Sequence, residues 1–132
     1  MIGNDKKILE KIDTYISKGI NLKGDLVSQE ESIRIDGNID GDFIKAKGIV
    51  IGESAHINAN VEAEMVMVSG EIHGNIVAKK KLGILEKSKI FGDIFSPNIS
   101  ILEGAVFEGQ CKMLDTASLE KIQKESKQKE GK

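Results

Sequence analysis

The sequence predicts an all-β fold of the parallel β-helix type, because one five-residue pattern returns six times along the chain. The pattern is apolar, polar, tiny, polar, apolar, and its clearest copy is Ile-Asp-Gly-Asp-Phe at residues 39–43. Copies begin at residues 22, 39, 57, 72, 90 and 107, so the spacing is 17, 18, 15, 18 and 17 residues. Short strands at a near-constant spacing indicate coils that stack and pair with one another. We therefore expect a single domain with about six rungs.

The alternation inside each copy predicts which side chains face the core. Period-two alternation is typical of a strand with one buried face, so the first and fifth residues of each copy should point inward. This places Phe43 in the core and, in the last copy, Cys111, which we interpret as a small buried apolar residue. The outward positions should form a ladder of acids separated by amides, with hydrogen bonds along the axis. That ladder comprises Asp42, Asn60, Asn75 and Asp93.

Two further motifs complete the predicted rung. An apolar-x-apolar triplet precedes most copies, as in Ile49-Val50-Ile51 and Val66-Met67-Val68, and it predicts a second strand. A small residue follows several copies and indicates a tight corner into a third face. These small residues are Ser28, Ala63, Ala78 and Ser96.

The two ends of the chain differ from the repeats and set the domain boundaries. We expect an N-terminal arm at residues 1–19, a β-helix domain at residues 20–113, and a charged, flexible C-terminal tail at residues 114–132. In the arm, one alternative is a short helix with an apolar side made of Ile8, Leu9, Ile12, Tyr15 and Ile16. The other alternative makes residues 14–16 the first strand, and the sequence does not separate the two.

Composition restricts the classes of function. The net charge of −2 provides no strong field for nucleic acid, and no apolar run is long enough to span a bilayer. The single cysteine, Cys111, excludes an internal disulfide and suits the reducing cytoplasm. His56 and His73 are the only histidines, too few for a three-histidine metal site in one chain. We therefore expect no catalytic residue, no metal and no cofactor.

The open ends of the stack predict self-association. A β-helix without caps exposes unpaired strand edges and core side chains at both ends. Apolar residues stand at both predicted ends, and we expect Phe107 to anchor the contact. The predicted polymerisation residues are Ile20, Leu22 and Leu26 in the first rung and Phe107, Met113 and Leu114 at the other end.

Other apolar residues indicate contacts along the side of the rod. Phe91 and Phe95 face outward and suit a lateral contact between filaments or a membrane contact. Val50 and Met67 also face outward on adjacent rungs, as do Val77 and Phe95, and for these a filament contact and cover by a terminal segment are equal alternatives. The apolar side of the arm, with Ile8, Ile12 and Ile16, suits a membrane surface or a lid on the first rung.

From Thr14 to Met113 the sequence resembles the bactofilin family, above all in the run Ser-Ile-Arg-Ile-Asp-Gly-Asn-Ile-Asp-Gly-Asp at residues 32–42. The resemblance implies a right-handed β-helix between disordered tails, and polymerisation through the rung ends without nucleotide. It also implies bacterial cytoskeletal filaments that act as scaffolds at the cytoplasmic face of the inner membrane, contact cell-envelope proteins and help to set cell shape.

Two alternatives belong to other functional classes. Residues 52–57 resemble one unit of a left-handed β-helix acyltransferase built from hexapeptide repeats. Three hexapeptides make 18 residues in every rung, whereas this chain varies its spacing. The second alternative is a β-helix that binds partners as a monomer.

Overall fold

The computed structural model describes residues 12–113, which form fourteen β-strands joined in one sheet and contain no helix within that range. The strands are β1 Thr14–Ile16, β2 Asn21–Lys23, β3 Leu26–Val27, β4 Ser32–Ile35, β5 Asn38–Lys45, β6 Gly48–Ile51, β7 His56–Val68, β8 Glu71–His73, β9 Ile76–Ile84, β10 Lys89–Phe91, β11 Ile94–Ser96, β12 Ile99–Ile101, β13 Val106–Glu108 and β14 Cys111–Met113.

The strands stack as six rungs with three faces, and the predicted parallel β-helix is confirmed. Every pairing between rungs is parallel, and each strand pairs with its counterpart in the neighbouring rung. Face 1 consists of β1, β4, β6, residues 65–68, residues 82–84 and β12. Face 2 consists of β2, residues 38–40, residues 56–58, β8, β10 and β13. Face 3 consists of β3, residues 43–45, residues 61–63, residues 76–78, β11 and β14.

The core is a set of apolar ladders that run along the axis. On face 2, one ladder aligns Leu22, Ile39, Ile57, Ile72, Ile90 and Phe107. Its four central members are at most 2% exposed. Burying each such side chain stabilises the fold by about 1.5–3 kcal/mol, and β-branched residues pack well on a pleated surface. The ladders end at the first and last rungs, where Leu22 and Phe107 are only half-buried.

One predicted core position is wrong by a single residue. The pairing of β5 with β7 shifts between Asp40 and Phe43, so Ile44 rather than Phe43 aligns with Val61. Ile44 is fully buried. Phe43 is half-buried, with the Lys45 Nζ atom 4.9 Å from its ring centroid. The corner takes an extra residue because the Asp25 carboxylate accepts hydrogen bonds from two successive backbone N–H groups, those of residues 42 and 43.

The tiny residue in each copy stands where the chain turns between faces 2 and 3. Gly92 has a φ of +150°, and a Cβ added there would collide with the carbonyl oxygen of Gly74 in the rung before. Stacking of this turn on the one before it therefore requires glycine at residue 92. At Ala59 the chain instead continues within β7 without a positive φ, so a methyl group is accommodated.

The first rung begins earlier than the predicted boundary at residue 20. Residues 14–16 form β1 and pair with residues 33–35 of β4, so the strand alternative is found there and the helix alternative is wrong for those residues. Ile16 is half-buried against the core rather than on a helical stripe. The predicted contacts at Ile8 and Leu114 lie outside the described residues, as do residues 1–11 of the arm and the C-terminal tail.

Candidate assembly surfaces

The exposed large apolar side chains are concentrated at the two tips of the rod. Within residues 12–113, all eight belong to the first rung, to the residue leading into it, or to the last rung. In contrast, the rungs between them bury their inward side chains almost completely. The eight are Ile12 at 36%, Tyr15 at 57%, Ile20 at 48%, Val27 at 62%, Ile101 at 47%, Leu102 at 42%, Val106 at 43% and Met113 at 64% exposed.

Five of the six predicted polymerisation residues occupy these tips, and the sixth, Leu114, lies outside the described residues. Leu22 and Leu26 are half-buried and pack on the core from the first rung, while Ile20 stands exposed at the corner before β2. Phe107 closes the core of the last rung and is half-buried, and Met113 is largely exposed beside it. Each tip thus combines apolar side chains with a strand edge that no further described rung covers.

Cys111 is exposed, so its predicted burial is wrong. It aligns with Ile94 in an inward ladder, as the repeat predicts. Its exposure arises because β14 pairs on one side only, and within residues 12–113 no strand covers the other side. The alternation predicted the direction of the side chain, whereas burial depended on the position of the rung in the stack.

Three of the four residues of the predicted polar ladder align at the corner between faces 2 and 3, with a different bonding pattern: Asn60, Asn75 and Asp93. Asp42 is out of register, because Phe43 aligns with Asn60. The Asn75 backbone N–H donates to Asn60 Oδ1 at 2.9 Å, and the Asp93 N–H donates to Asn75 Oδ1 at 2.9 Å. The Gln110 N–H donates to Asp93 Oδ1 at 3.0 Å. Each side chain therefore satisfies a backbone donor in the next rung rather than another side chain. This arrangement rigidifies the corner and supports the stack along its axis.

Phe91 and Phe95 are half-buried on the outside of the rod. Phe91 stacks on the His73 ring, with 4.7 Å between the ring centroids. Phe95 lies beneath the Lys112 ammonium group, with 5.8 Å from Nζ to the ring centroid. Both rings are therefore partly covered by neighbours on their own face, which reduces the apolar area that each can offer to another surface.

Two groups of ionisable side chains have displaced pKa values. The hydrogen bond between His73 Nε2 and Glu71 Oε2, 2.8 Å long, holds the pKa of Glu71 below its ordinary value. Burial opposes ionisation of Asp36, but hydrogen bonds from Tyr15 and Arg34 outweigh it and lower the pKa of Asp36. The Arg34 Nε atom lies 3.1 Å from Asp36 Oδ2 within the second rung. The hydrogen bond from Tyr15 of β1 to Asp36 links this pair to the first rung.

The described residues hold no group of three or more histidine, cysteine or acidic side chains that could bind a metal ion. His56 and His73 are both exposed on face 2. Residues 12–113 also contain no helix with the length and apolar character needed to cross a membrane.

Comparison with curated proteins finds two bactofilins of Myxococcus xanthus (strain DK1622). BacO is 31% identical over 101 residues, which cover 76% of this chain and 79% of BacO. BacP is 28% identical over 103 residues, which cover 78% of this chain and 42% of BacP.

Solved structures share the fold. Thermus thermophilus bactofilin, reconstructed by cryo-EM as double helical filaments, matches with a TM-score of 0.66 and 26% identity, covering 74% of this chain and 96% of that one. The cytoskeletal bactofilin BacA, solved by solid-state NMR, matches with a TM-score of 0.67 and 28% identity, covering 76% and 95%. A family model described as "Bactofilin: Polymer-forming cytoskeletal" matches residues 14–112. With three quarters of its length matched by that model, this chain belongs to the bactofilin family of polymer-forming cytoskeletal proteins.

Proposed function

We propose that this bactofilin assembles end to end, without nucleotide, through the apolar tips of its β-helix, and that the filaments serve as a cytoskeletal scaffold. The observation that carries this proposal is that, within residues 12–113, the exposed large apolar side chains lie in the first rung, in the residue leading into it and in the last rung. Burial of apolar surface and strand pairing across the joint would drive assembly, and neither process consumes a nucleotide.

The energetics make the joint sensitive to a single residue. About five apolar side chains at 1.5–3 kcal/mol each give on the order of 10 kcal/mol of gross stabilisation. Association costs about 4–15 kcal/mol, so the two terms are of similar size. A charged side chain at a tip must lose its water when the joint forms, which shifts this balance toward the monomer.

Replacing Phe107 by Arg tests the joint. Phe107 closes the core of the last rung, so the variant should remain dispersed where the wild-type chain forms filaments. The matched control is Phe95→Arg, because Phe95 is also half-buried but lies on the outside of face 3. Both variants and the wild type are to be compared by negative-stain microscopy and light scattering, with no nucleotide and with EDTA present.

Filaments of Phe107→Arg as long as those of the wild type would remove Phe107 from the joint. A wild-type chain that stays monomeric at high concentration would remove the whole proposal and favour the monomeric scaffold. Filaments that require added nucleotide would contradict the nucleotide-free mechanism.

The acyltransferase alternative is not favoured. Aligned positions in successive rungs are not held at 18 residues, since Ile16 aligns with Ile35 and Ile57 aligns with Ile72. The family is a cytoskeletal one, which supports a structural role.

We further propose that the filaments lie at the cytoplasmic face of the membrane and contribute to cell shape, as the sequence resemblance implies. Ile8 and Ile12 remain the candidates for membrane contact, since Ile16 packs against the core. Flotation with vesicles of phosphatidylglycerol, for the wild type and for Ile8→Asp with Ile12→Asp, tests this location. Equal flotation of the wild type and the double variant would show that Ile8 and Ile12 do not contact the membrane.

A further inference from the structure

We propose that face 1 is the surface through which two filaments of this chain pair side by side. This inference rests on the proposed end-to-end assembly and adds the lateral contact to it. It starts from the outward column of face 1, in which register aligns Tyr15, Arg34, Val50, Met67, Gly83 and Ser100.

From rung 3 to rung 6 this column carries no charge. Val50 and Met67 are half-buried neighbours, and the Met67 side chain lies over Gly83, where an added Cβ would be 2.6 Å from its sulfur atom. Gly83, the outward residue of the next rung, has no side chain, so the surface beside Met67 is flat. Leu85 and Leu102 extend the apolar strip along the adjoining corner. A flat, uncharged strip on a sheet is the feature that natural sheets avoid unless it is covered.

The other two faces carry charges in the same rungs. On face 3 the outward column carries Glu62 in rung 3 and Lys112 in rung 6, with the apolar pair Val77 and Phe95 between them. On face 2 the outward columns include Glu71, Lys89 and Glu108. Face 1 is thus distinguished by an outward column that is uncharged in all four rungs, whereas on face 3 only the two central positions are uncharged.

The two edges of face 1 carry exposed charges of opposite sign. The corner before the face 1 strands is mainly basic in rungs 3 to 5, where Lys47, Lys80 and Lys81 are exposed. Glu64 lies at the same edge, 4.0 Å from Lys80. The corner after the strands is mainly acidic, with Glu53, Glu86 and Glu103 exposed. Lys87 lies at the same edge, 3.7 Å from Glu53. In the first rung Lys18 follows β1, and in the second Glu30 and Glu31 precede β4. The acid that follows β4, Asp36, is paired with Arg34.

This charge pattern suits a second copy of the same face. When two parallel rods meet through face 1, a two-fold axis along the rods sets the corner before the strands against the partner's corner after the strands. Lysines at one edge then face glutamates at the other. When the rods are antiparallel, Glu30 and Glu31 instead approach Lys80 and Lys81 of the partner's equivalent corner. Binding to a charged lipid surface would require the same sign of charge along both edges of the face. Here the charges instead complement those of a second copy in both the parallel and the antiparallel orientation.

The area of face 1 is too small for two single molecules to form a stable pair, so we expect lateral pairing only between filaments. Six rungs at a spacing of about 4.8 Å, and strands of about four residues, give about 400 Å² for each copy. The total of about 800 Å² is below the 1,200–2,000 Å² of stable interfaces. A single pair of rods is therefore weakly held, but many such contacts along two filaments act together.

Met67→Glu tests this contact, with Val77→Glu as the matched control, because Val77 is also half-buried and outward but lies on face 3. We expect wild-type and Val77→Glu filaments to be paired and Met67→Glu filaments to be single. Mass per unit length by scanning transmission electron microscopy should fall two-fold in the Met67→Glu filaments alone. Val50→Lys should give the same result as Met67→Glu, and the presence of filaments shows that each variant is folded.

Paired Met67→Glu filaments, or unpairing by Val77→Glu alone, would overturn the assignment of face 1 while leaving end-to-end assembly intact. A further outcome would also contradict the proposal. If deletion of residues 1–11 lowered the thermal midpoint as much as Met67→Glu does, and the filaments stayed paired in both variants, the strip would be covered by the chain's own terminus. Absence of any wild-type filament would contradict the end-to-end assembly and this contact together.

Discussion

At Gly92 the backbone has a φ of +150° and lies against the carbonyl oxygen of Gly74, so the rung-to-rung approach leaves no room for a methyl group. Gly92→Ala must therefore strain the backbone and also push two rungs apart. We expect this to cost about 2–4 kcal/mol of unfolding free energy. Chemical denaturation of Gly92→Ala in the Phe107→Arg background, which should keep the chain dispersed, measures the loss.

Ala59→Gly is the matched control, because Ala59 occupies the same stacked position in rung 3 without a positive φ. Its cost should be only about 0.5–1 kcal/mol, from added backbone freedom. An equal loss in both variants would show that the corner does not discriminate between glycine and alanine.

Asp36 gives the fold a defined dependence on pH. Burial opposes its ionisation, but hydrogen bonds from Tyr15 and Arg34 outweigh this, and the pKa of Asp36 is lower than usual. A carboxyl group with a lowered folded pKa stabilises the protein above its unfolded value of about 3.9, and this contribution is lost as pH falls through the folded value. The thermal midpoint of the wild type should therefore fall below about pH 4, and that of Asp36→Asn should fall less over the same range.

Circular dichroism melts of both proteins between about pH 2 and pH 6 provide this comparison. Tyr15→Phe, which removes one of the two hydrogen bonds to Asp36, should behave in an intermediate way. Parallel curves for the wild type and Asp36→Asn would show that other carboxyl groups control acid unfolding.

At the scale of the strand, period-two alternation predicted most of the fold because each strand has one buried face. It succeeded at Ile57, Ile72 and Ile90, which align in register. It failed at Phe43, since a bulge depends on the hydrogen bonds of Asp25, a residue in another rung, and no local pattern encodes that contact. The strand at residues 14–16 was ambiguous for a similar reason, because its pairing with β4 is not local.

In the same way, the local pattern predicted the direction of a side chain but not its burial, which depends on contacts between rungs. Cys111 points inward as its repeat position predicts, yet it is exposed because it belongs to the last described rung. Likewise, the amide ladder was expected from its residues, but its donors are backbone N–H groups of the next rung. The local sequence therefore determined the direction and hydrogen-bonding capacity of each side chain, and the stacking of rungs determined its burial and its partner.

For the whole molecule, tips and faces have separate roles in the proposed assembly. Within residues 12–113 the tips combine apolar side chains with strand edges that no described rung covers, so in the proposed assembly they supply the strong contact along the axis. Face 1 is flat, with opposite charges at its edges, and supplies the weak contact between rods. Substitutions at Phe107 and Met67 should therefore act independently, the first on filament length and the second on filament width.

Cys111 allows burial of the C-terminal tip to be followed directly, because it is the single cysteine of the chain and is exposed at that tip. If the tip forms the joint, assembly must cover Cys111, and its reaction with a negatively charged maleimide should become at least about ten-fold slower in filaments than in dispersed protein. The Phe107→Arg variant should react rapidly at every concentration, since its tip stays open. Equal rates for wild-type filaments and for Phe107→Arg would show that the C-terminal tip is not buried, and the filament would then have to grow through another surface.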